Sequence, residues 1–498
     1  MAIAWWNTTA TTRFLPLTGP LYVDVAVIGA GITGLTAALQ LGRAGKSVAV
    51  LELSTVGAGS TGDSTGHLTS SVDSSYEALI SHFDEAGARI AAQSSMEAIE
   101  FIERTVAELA IQCDFSRVPG FRFSQSLAGA AMLEREAVLT GRLGLTTSFS
   151  REAPIPIAVT GALRFENQAQ FDAPRYCQAL AAALPLYGGA VYGDTIVESV
   201  KERPPCVVRA GGHVVTAGAV VIATHTPLNR VLPLQEHLSP YISYTMAFAL
   251  GDGAFPEGLF WDTEEPYHYI RRVRDKDREL LLVGGEDHGT GKNPETEKNF
   301  EALEAYARRN FNVQSIEYHG SGEVFASRDG LPYIGDLPGM TSVQIATGFS
   351  GTGLTFGAVA GMLIADIILG RPNAWRELYR PARVIPIAVP NEPAHSKVKA
   401  GSQRVMSRLK SSLHGGSPEV ALGEGRIVEI DGEKVAVHRD DRGALHAFSA
   451  SCTHMGCTVQ WNGAAKSWDC PCHGGRYRPT GEVLCAPPTQ ALTRLNAP

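Results

Sequence analysis

Tyr22 to Ile28 is a short run rich in valine and isoleucine; a glycine loop follows, then an apolar stripe at helical spacing from Ile32 to Ala44 and a second apolar run from Ser47 to Leu51. This order predicts a strand, a helix and a second strand, because β-branched runs suit pleated strands and an i, i+3, i+4 repeat suits a helix. Helical patterning over 75–110 then alternates with strand patterning at Gly218 to Ala223, Ile242 to Leu250 and Leu280 to Val283. Such alternation predicts a doubly wound α/β domain with an inserted substrate domain drawn from much of 76–185 and 230–325. After Tyr379 the pattern breaks. Pro381, Pro386, Pro390 and Pro393 interrupt it, and Lys397, Lys399, Arg404, Arg408 and Lys410 follow without an acidic residue. We read a linker there, since the stretch holds too few large apolar residues for a membrane-surface helix. From Gly425, short apolar runs punctuated by turn residues predict a small β domain. The expected divisions are 1–385, a linker at 386–417, and 418–498.

Length and composition remove several classes. At 498 residues the chain exceeds one ordinary core. With 44% hydrophobic and 19% charged residues it reads as globular, and a net charge of -8 lacks the basic footprint of a nucleic-acid binder. The N-terminal stretch has no basic flank followed by an apolar core, so a cytoplasmic location is expected. The long apolar run Gly353 to Gly370 contains Asp366 and reads as a buried helix, so no transmembrane segment is expected. Five of the eight cysteines crowd into the last 50 residues, a distribution that points to a metal site.

Gly29, Gly31 and Gly34 stand in G-x-G-x-x-G spacing between the first strand and its helix, and Glu52 ends the second strand. The first glycine permits a tight turn, the second lets backbone approach a pyrophosphate, and the third allows close helix packing; the acid can accept from ribose hydroxyls. These residues predict a dinucleotide without separating FAD from NAD. A second formal triplet, Gly57, Gly59 and Gly62, lacks its own strand-to-helix context. Further motifs carry a resemblance: the Gly57 to His67 loop, VVIATHTPL around Thr224, DGLPYIG from Asp329, and GFSGTGLTFGAVAGMLIADIILG from Gly348. With the fingerprint, they make 20–380 similar to the D-amino-acid-oxidase and glycine-oxidase superfamily of FAD enzymes. The resemblance implies a cofactor shell of Gly29, Gly31, Ile32, Thr33, Gly34, Glu52, Leu53, Gly59, Ser60, Thr61, His67, Leu68, Val197, Ala223, Thr224, His225, Gly348, Ser350, Gly351, Thr352, Gly353 and Leu354. It also implies a helix N-terminus brought to the flavin ring.

Cys452 and His454, then Cys470 and His473, form C-x-H, fifteen residues, C-x-x-H. Two thiolates suit one iron and two neutral imidazoles the other; a zinc site with the same four ligands is the alternative, although zinc patterns are usually spaced differently. The stretch 418–498 is similar to Rieske [2Fe-2S] proteins. In high-potential members the positions of Cys457 and Cys472 carry a disulfide, which the sequence leaves open here. Gly475 stands where those proteins often have a hydrogen-bonding serine, which implies a lower potential, while Tyr477 keeps the neighbouring hydroxyl.

The expected fold class is therefore an α/β (α+β) FAD-binding Rossmann-like domain with an inserted antiparallel-sheet substrate domain, joined to a small all-β Rieske domain. The expected function is a flavin-dependent dehydrogenase or oxidase. It would take a hydride from a small substrate, an amine or amino acid by the superfamily resemblance, and pass electrons singly through the cluster to an external small redox protein, quinone or oxygen. Tyr244, His268, Tyr269 and Arg271 are the candidates for orienting substrate, with a purely structural role as the alternative for each. A Rieske oxygenase would need a separate D-x-x-H-x4-H iron site, and none occurs. An NADH-driven reductase would need a second nucleotide domain; a redox sensor could use the same cofactors.

Overall fold

The computed structural model describes residues 12–384 and 420–495, apart from 204, 229–231, 252–254, 276, 277, 338 and 431. The linker expected at 386–417, with its basic stretch, lies outside the described residues.

Leu21–Ile28 and Val48–Leu51 form parallel neighbours in register Val25 to Val48, with helix Ile32–Arg43 between them. Val25 to Ile28 and Val48–Leu51 are apolar and buried at successive positions because parallel strands are covered on both faces. Their sheet runs Tyr333–Leu337, Met340–Thr347, His213–Ile222, Leu21–Ile28, Val48–Leu51, Gly189–Tyr192, with the hairpin Val197–Lys201 and Cys206–Ala210 joined at His213–Ile222. The apolar helix Gly353–Leu369 is mostly buried and packs on Ile32–Arg43. Its segment Ser350–Leu369 is long and apolar enough to cross a membrane by length and composition, the one such helix among the described residues.

A second sheet of nine strands orders Val313–Ser327, Leu238–Leu250, Arg278–Gly289, His268–Asp275, Leu259–Asp262, Ser116–Ser124, Gly161–Gln170 and His67–Leu68, with Thr147–Ser150 beside Gly161–Gln170. It is antiparallel except where Leu259–Asp262 runs parallel to Ser116–Ser124. The boundaries expected for the inserted domain need one correction. Helices Tyr76–Glu108 and Ala173–Ala183 pack against Gly353–Leu369 and Ile32–Arg43, so within 76–185 only the strands, with helix Leu127–Arg142, belong to the second sheet. Their apolar stripes face the dinucleotide core, which a reading of periodicity alone does not reveal.

Alternation along Leu238–Leu250 decides what each strand residue meets. Ile242, Tyr244, Met246 and Phe248 enter an apolar cluster with Leu303 and Ala307 of helix Glu297–Asn310. Tyr241, Ser243 and Thr245 face the opposite way.

The C-terminal domain pairs a three-stranded sheet, Gly425–Ile430, Glu433–Arg439 and Leu445–Ser449, with a four-stranded one, Gln460–Asn462, Ser467–Asp469, Arg476–Tyr477 and Val483–Cys485. It sits against the second sheet. Ala464 N donates to Thr296 Oγ1 at 3.1 Å, and Gly474 fits so closely that a Cβ there would lie 2.6 Å from Phe325 Cζ.

Candidate functional site

One cavity of about 880 Å³ runs between the two large sheets. At one end the turn after Leu21–Ile28 approaches it. Gly29 has φ +100°, and a Cβ would lie 2.5 Å from Ala223 O, so side chains are excluded there. Helix Ile32–Arg43 begins at Gly31 with no side-chain cap of its own, and Ile32 N donates to Thr61 Oγ1 at 3.2 Å. Its first N–H groups thus make an anion-binding end on the wall. Glu52 accepts from Ala30 N at 2.7 Å and Ser54 N at 3.0 Å, and burial raises its carboxyl.

Of the expected cofactor shell, Gly29, Gly31, Ile32, Thr33, Glu52, Leu53, Gly59, Ser60, Thr61, His67, Val197, Ala223, Thr224, His225, Ser350, Gly351, Thr352, Gly353 and Leu354 line this cavity. Gly34, Leu68 and Gly348 do not. Gly34 lies beneath the turn, where a Cβ would stand 2.0 Å from Gly29 O; Leu68 is in the core, and Gly348 packs on Leu238. The Gly57 to Gly62 triplet forms loop and one turn, Ser60–Asp63, and Gly57 and Gly59 line the same cavity instead of opening a second nucleotide site. His67 has Nδ1 2.9 Å from Thr65 Oγ1, and burial, aided by Arg271, lowers it to about 3. Its Nε2 is buried without a hydrogen-bond partner, an atom that a ligand could satisfy. A helix end whose N-cap is a glycine, a carboxylate at the second strand and this orphaned nitrogen together fit a dinucleotide such as FAD.

The substrate candidates separate. Tyr269 lines the cavity, whereas Tyr244, His268 and Arg271 do not. Tyr244 lies on the apolar face, its hydroxyl 2.8 Å from His288 Nε2. His268 is buried between Asp262 (Nδ1 to Oδ2 3.0 Å) and Glu286 (Nε2 to Oε1 3.3 Å) and stacks on Tyr306. Arg271 donates to Thr65 O and Gln170 Oε1, at 2.5 and 3.1 Å, and so braces the loop that carries His67. Sequence reasoning missed Asp73, Arg122, Tyr241, Ser243, Thr245, Tyr267 and Asp287, all on the wall. The signal available was the two-residue alternation that groups Tyr241 with Ser243 and Thr245.

The rest of the wall comes from the C-terminal domain: Arg478 and Glu482 to Ala486. Glu323 connects the two sides. It lines the cavity, accepts from Thr290 Oγ1 at 3.0 Å, and is pushed up to about 8 by burial; its backbone oxygen accepts from His225 Nε2 at 2.9 Å. His225 stacks edge-on against Phe325 at 4.8 Å, and Phe325 meets Gly474, next to His473.

In that domain Cys452 and Cys470 lie side by side within hydrogen-bonding reach, and that contact draws Cys452 down and pushes Cys470 up. The His454 and His473 rings stand 5.1 Å apart, and His473 Nδ1 is buried without a hydrogen-bond partner. Two adjacent thiols and two neighbouring imidazoles, one of each kind on either ligand loop, fit a two-iron cluster. Cys457 and Cys472 are joined in a disulfide linking the two ligand loops, so they are not free to replace the ligands. Tyr477 Oη accepts from Thr453 N at 2.9 Å and stands 3.2 Å from Cys452 Sγ and 3.0 Å from Thr453 Oγ1, which itself donates to Gln490 O at 2.7 Å, so the phenol proton has the sulfur and that hydroxyl as its acceptors. A Cβ at Gly475 would approach that same sulfur at 3.6 Å, and no hydroxyl is supplied there. Tyr477→Phe should therefore lower the cluster's midpoint potential by about 40 mV, the equivalent of one hydrogen bond of about 1 kcal/mol. Protein-film voltammetry reads this directly; an unchanged potential would remove Tyr477 from the tuning of that sulfur.

The model of the family described as FAD dependent oxidoreductase matches residues 24–367, and that of the Rieske [2Fe-2S] domain matches 413–496. The putative Rieske 2Fe-2S iron-sulfur protein YhfW of Bacillus subtilis is 29% identical over 99% of this chain and 97% of its own length. Gamma-glutamylputrescine oxidoreductase of Escherichia coli is 27% identical over 70% of this chain and 84% of that protein. Among solved structures, glycine oxidase from Geobacillus kaustophilus superposes with a TM-score of 0.61 at 19% identity, covering 71% of this chain and 96% of that one.

Proposed function

Since the chain belongs to the FAD dependent oxidoreductase family and carries a Rieske [2Fe-2S] domain at its C-terminal end, we propose that it dehydrogenates a small amine or amino acid and sends the electrons singly through the cluster to an external acceptor. The observation that carries this reading is a shared wall: the dinucleotide loops and the Rieske strand Val483–Cys485 line one cavity. FAD supplies a two-electron acceptor and the cluster a one-electron one, so their union suits a hydride donor paired with a one-electron acceptor.

The chain's own residues provide the binding side. The N-terminus of Ile32–Arg43 and Glu52 would hold the dinucleotide, and the start of Gly353–Leu369 would turn its positive end toward the ring. His225, Phe325 and Gly474 make a packed bridge from that wall to the loop of His473. The name of the Escherichia coli relative favours an amine as hydride donor. The second reading is a reductase or redox sensor without amine turnover.

The purified protein should carry one FAD together with iron and acid-labile sulfide. Anaerobic titration with amines and amino acids should bleach the flavin before the cluster. Zinc in place of iron would sink the cluster assignment. Rapid, saturable bleaching by NADH, with none by amines or amino acids, would move the protein to the reductase class.

A further inference from the structure

The substrate end of the cavity has an unusual chemical balance. Tyr241, Tyr267 and Tyr269 line it, the last two with ring centroids 5.7 Å apart. Tyr269 is fixed by Ser243 Oγ at 3.0 Å from its hydroxyl. Asp73 and Asp287 stand among these rings, close enough that both raise the phenols of Tyr241 and Tyr267 beyond what burial does. Asp73 is anchored by the Gly351 N–H, at the loop leading into Gly353–Leu369. Asp287 keeps a buried Oδ1 with no hydrogen-bond partner, and burial with the nearby Asp73 pushes it up to about 7.

Tyrosine faces carry negative potential and attract cations, and a desolvated carboxylate with an open oxygen does so more strongly. An amino-acid substrate would need the reverse: an arginine free to form a paired fork with its carboxylate. Arg122 is the one cationic side chain on this part of the wall among the described residues; its charge lowers Asp73 from a distance without an ion pair between them, so one cation stands against the two acids Asp73 and Asp287. Arg271 is spent on Thr65 and Gln170.

Resting on the proposed dehydrogenase reading, we propose that this aromatic and acidic box selects a cationic amine without a carboxylate, its ammonium held by the tyrosine faces and Asp287. A carboxylate in the same place meets Asp73 and Asp287, and like charges brought together without water repel.

Two measurements on the holoprotein test this. In anaerobic bleaching, monoamines and diamines should outperform the corresponding α-amino acids by about 100-fold in reduction rate over half-saturation concentration. In a binding arm, tetramethylammonium and acetate serve as small cationic and anionic probes, followed by calorimetry and by the shift of the bound flavin's absorption. Tetramethylammonium should bind and acetate should not. Asp287→Asn should weaken tetramethylammonium about tenfold, with FAD content unchanged. Failure of every amine and amino acid to bleach the flavin would defeat the dehydrogenase reading. The box is decided by the second arm: acetate binding more tightly than tetramethylammonium, or tetramethylammonium affinity untouched in Asp287→Asn, overturns it, as does preferred oxidation of amino acids.

Discussion

Replacing Cys452 with alanine should leave substrate able to bleach the flavin anaerobically while turnover with a one-electron acceptor falls at least about 100-fold. Loss of a partner that merely supports a ligand already costs about 10–100-fold in metal affinity, so loss of a direct thiolate ligand should cost more. Cys452 stands beside Cys470 and 3.2 Å from Tyr477 Oη, and the nearby thiols of Cys457 and Cys472 cannot replace it because they are held in their disulfide. The dinucleotide end of the cavity lies in the other domain and keeps its own hydrogen bonds, including Glu52 to Ala30. Stopped-flow absorbance separates the two events. His473→Cys provides the companion variant, because it keeps a ligand in place while replacing a neutral imidazole with an anionic thiolate, and it should lower the potential. Full turnover by Cys452→Ala would show that electrons leave the flavin by another route.

The second large effect is expected at Arg476. Its guanidinium is buried at the domain contact, 3.0 Å from Asp469 Oδ1, with side-chain exposures of 6% and 1%. It also draws Glu323 and Asp63 downward against the burial that raises both. Arg476→Met should destabilise the protein by about 3–5 kcal/mol, the usual result of stranding one member of a buried ion pair. Equilibrium unfolding of the holoprotein measures it, and a loss below about 1 kcal/mol would mean that water or a rearranged Asp469 replaces the cation. The same contact carries a pH signature. Glu323 is raised from 4.5 to about 8 by burial, so it binds its proton more tightly when folded. Its contribution is complete below about 4.5 and is lost as the pH rises to about 8. Glu323→Gln should remove that share of the pH dependence of unfolding.

Gly291 and Gly474 show why the contact between the two domains lay outside sequence reasoning. A Cβ at Gly291 would sit 2.9 Å from Asp469 O, and one at Gly474 2.8 Å from Glu323 Oε1. Each glycine reads locally as a turn residue, and only the partner surface, far away in sequence, gives it a second reason. Tyr244, His268 and Arg271 illustrate the same limit. Their residue types suit substrate binding, yet Tyr244 faces an apolar cluster, His268 is held between two carboxylates, and Arg271 braces a loop.

What the sequence by itself determined is the pair of cofactor sites whose parts lie close along the chain. Gly29 to Gly34 with Glu52, and Cys452, His454, Cys470 and His473, are legible because a turn, a helix start or a ligand loop is built within a few residues and its chemistry restricts the residue types. Alternation along Leu238–Leu250 also groups Tyr241, Ser243 and Thr245 apart from Ile242 and Tyr244, a signal that the choice of Tyr244 by residue type passed over. Which of those faces fronts the cavity, and that Val483 to Ala486 close its wall, only the tertiary structure decided. Strand periodicity defines two faces without saying what covers either. The covering is set by sheet pairing and domain packing between residues hundreds of positions apart.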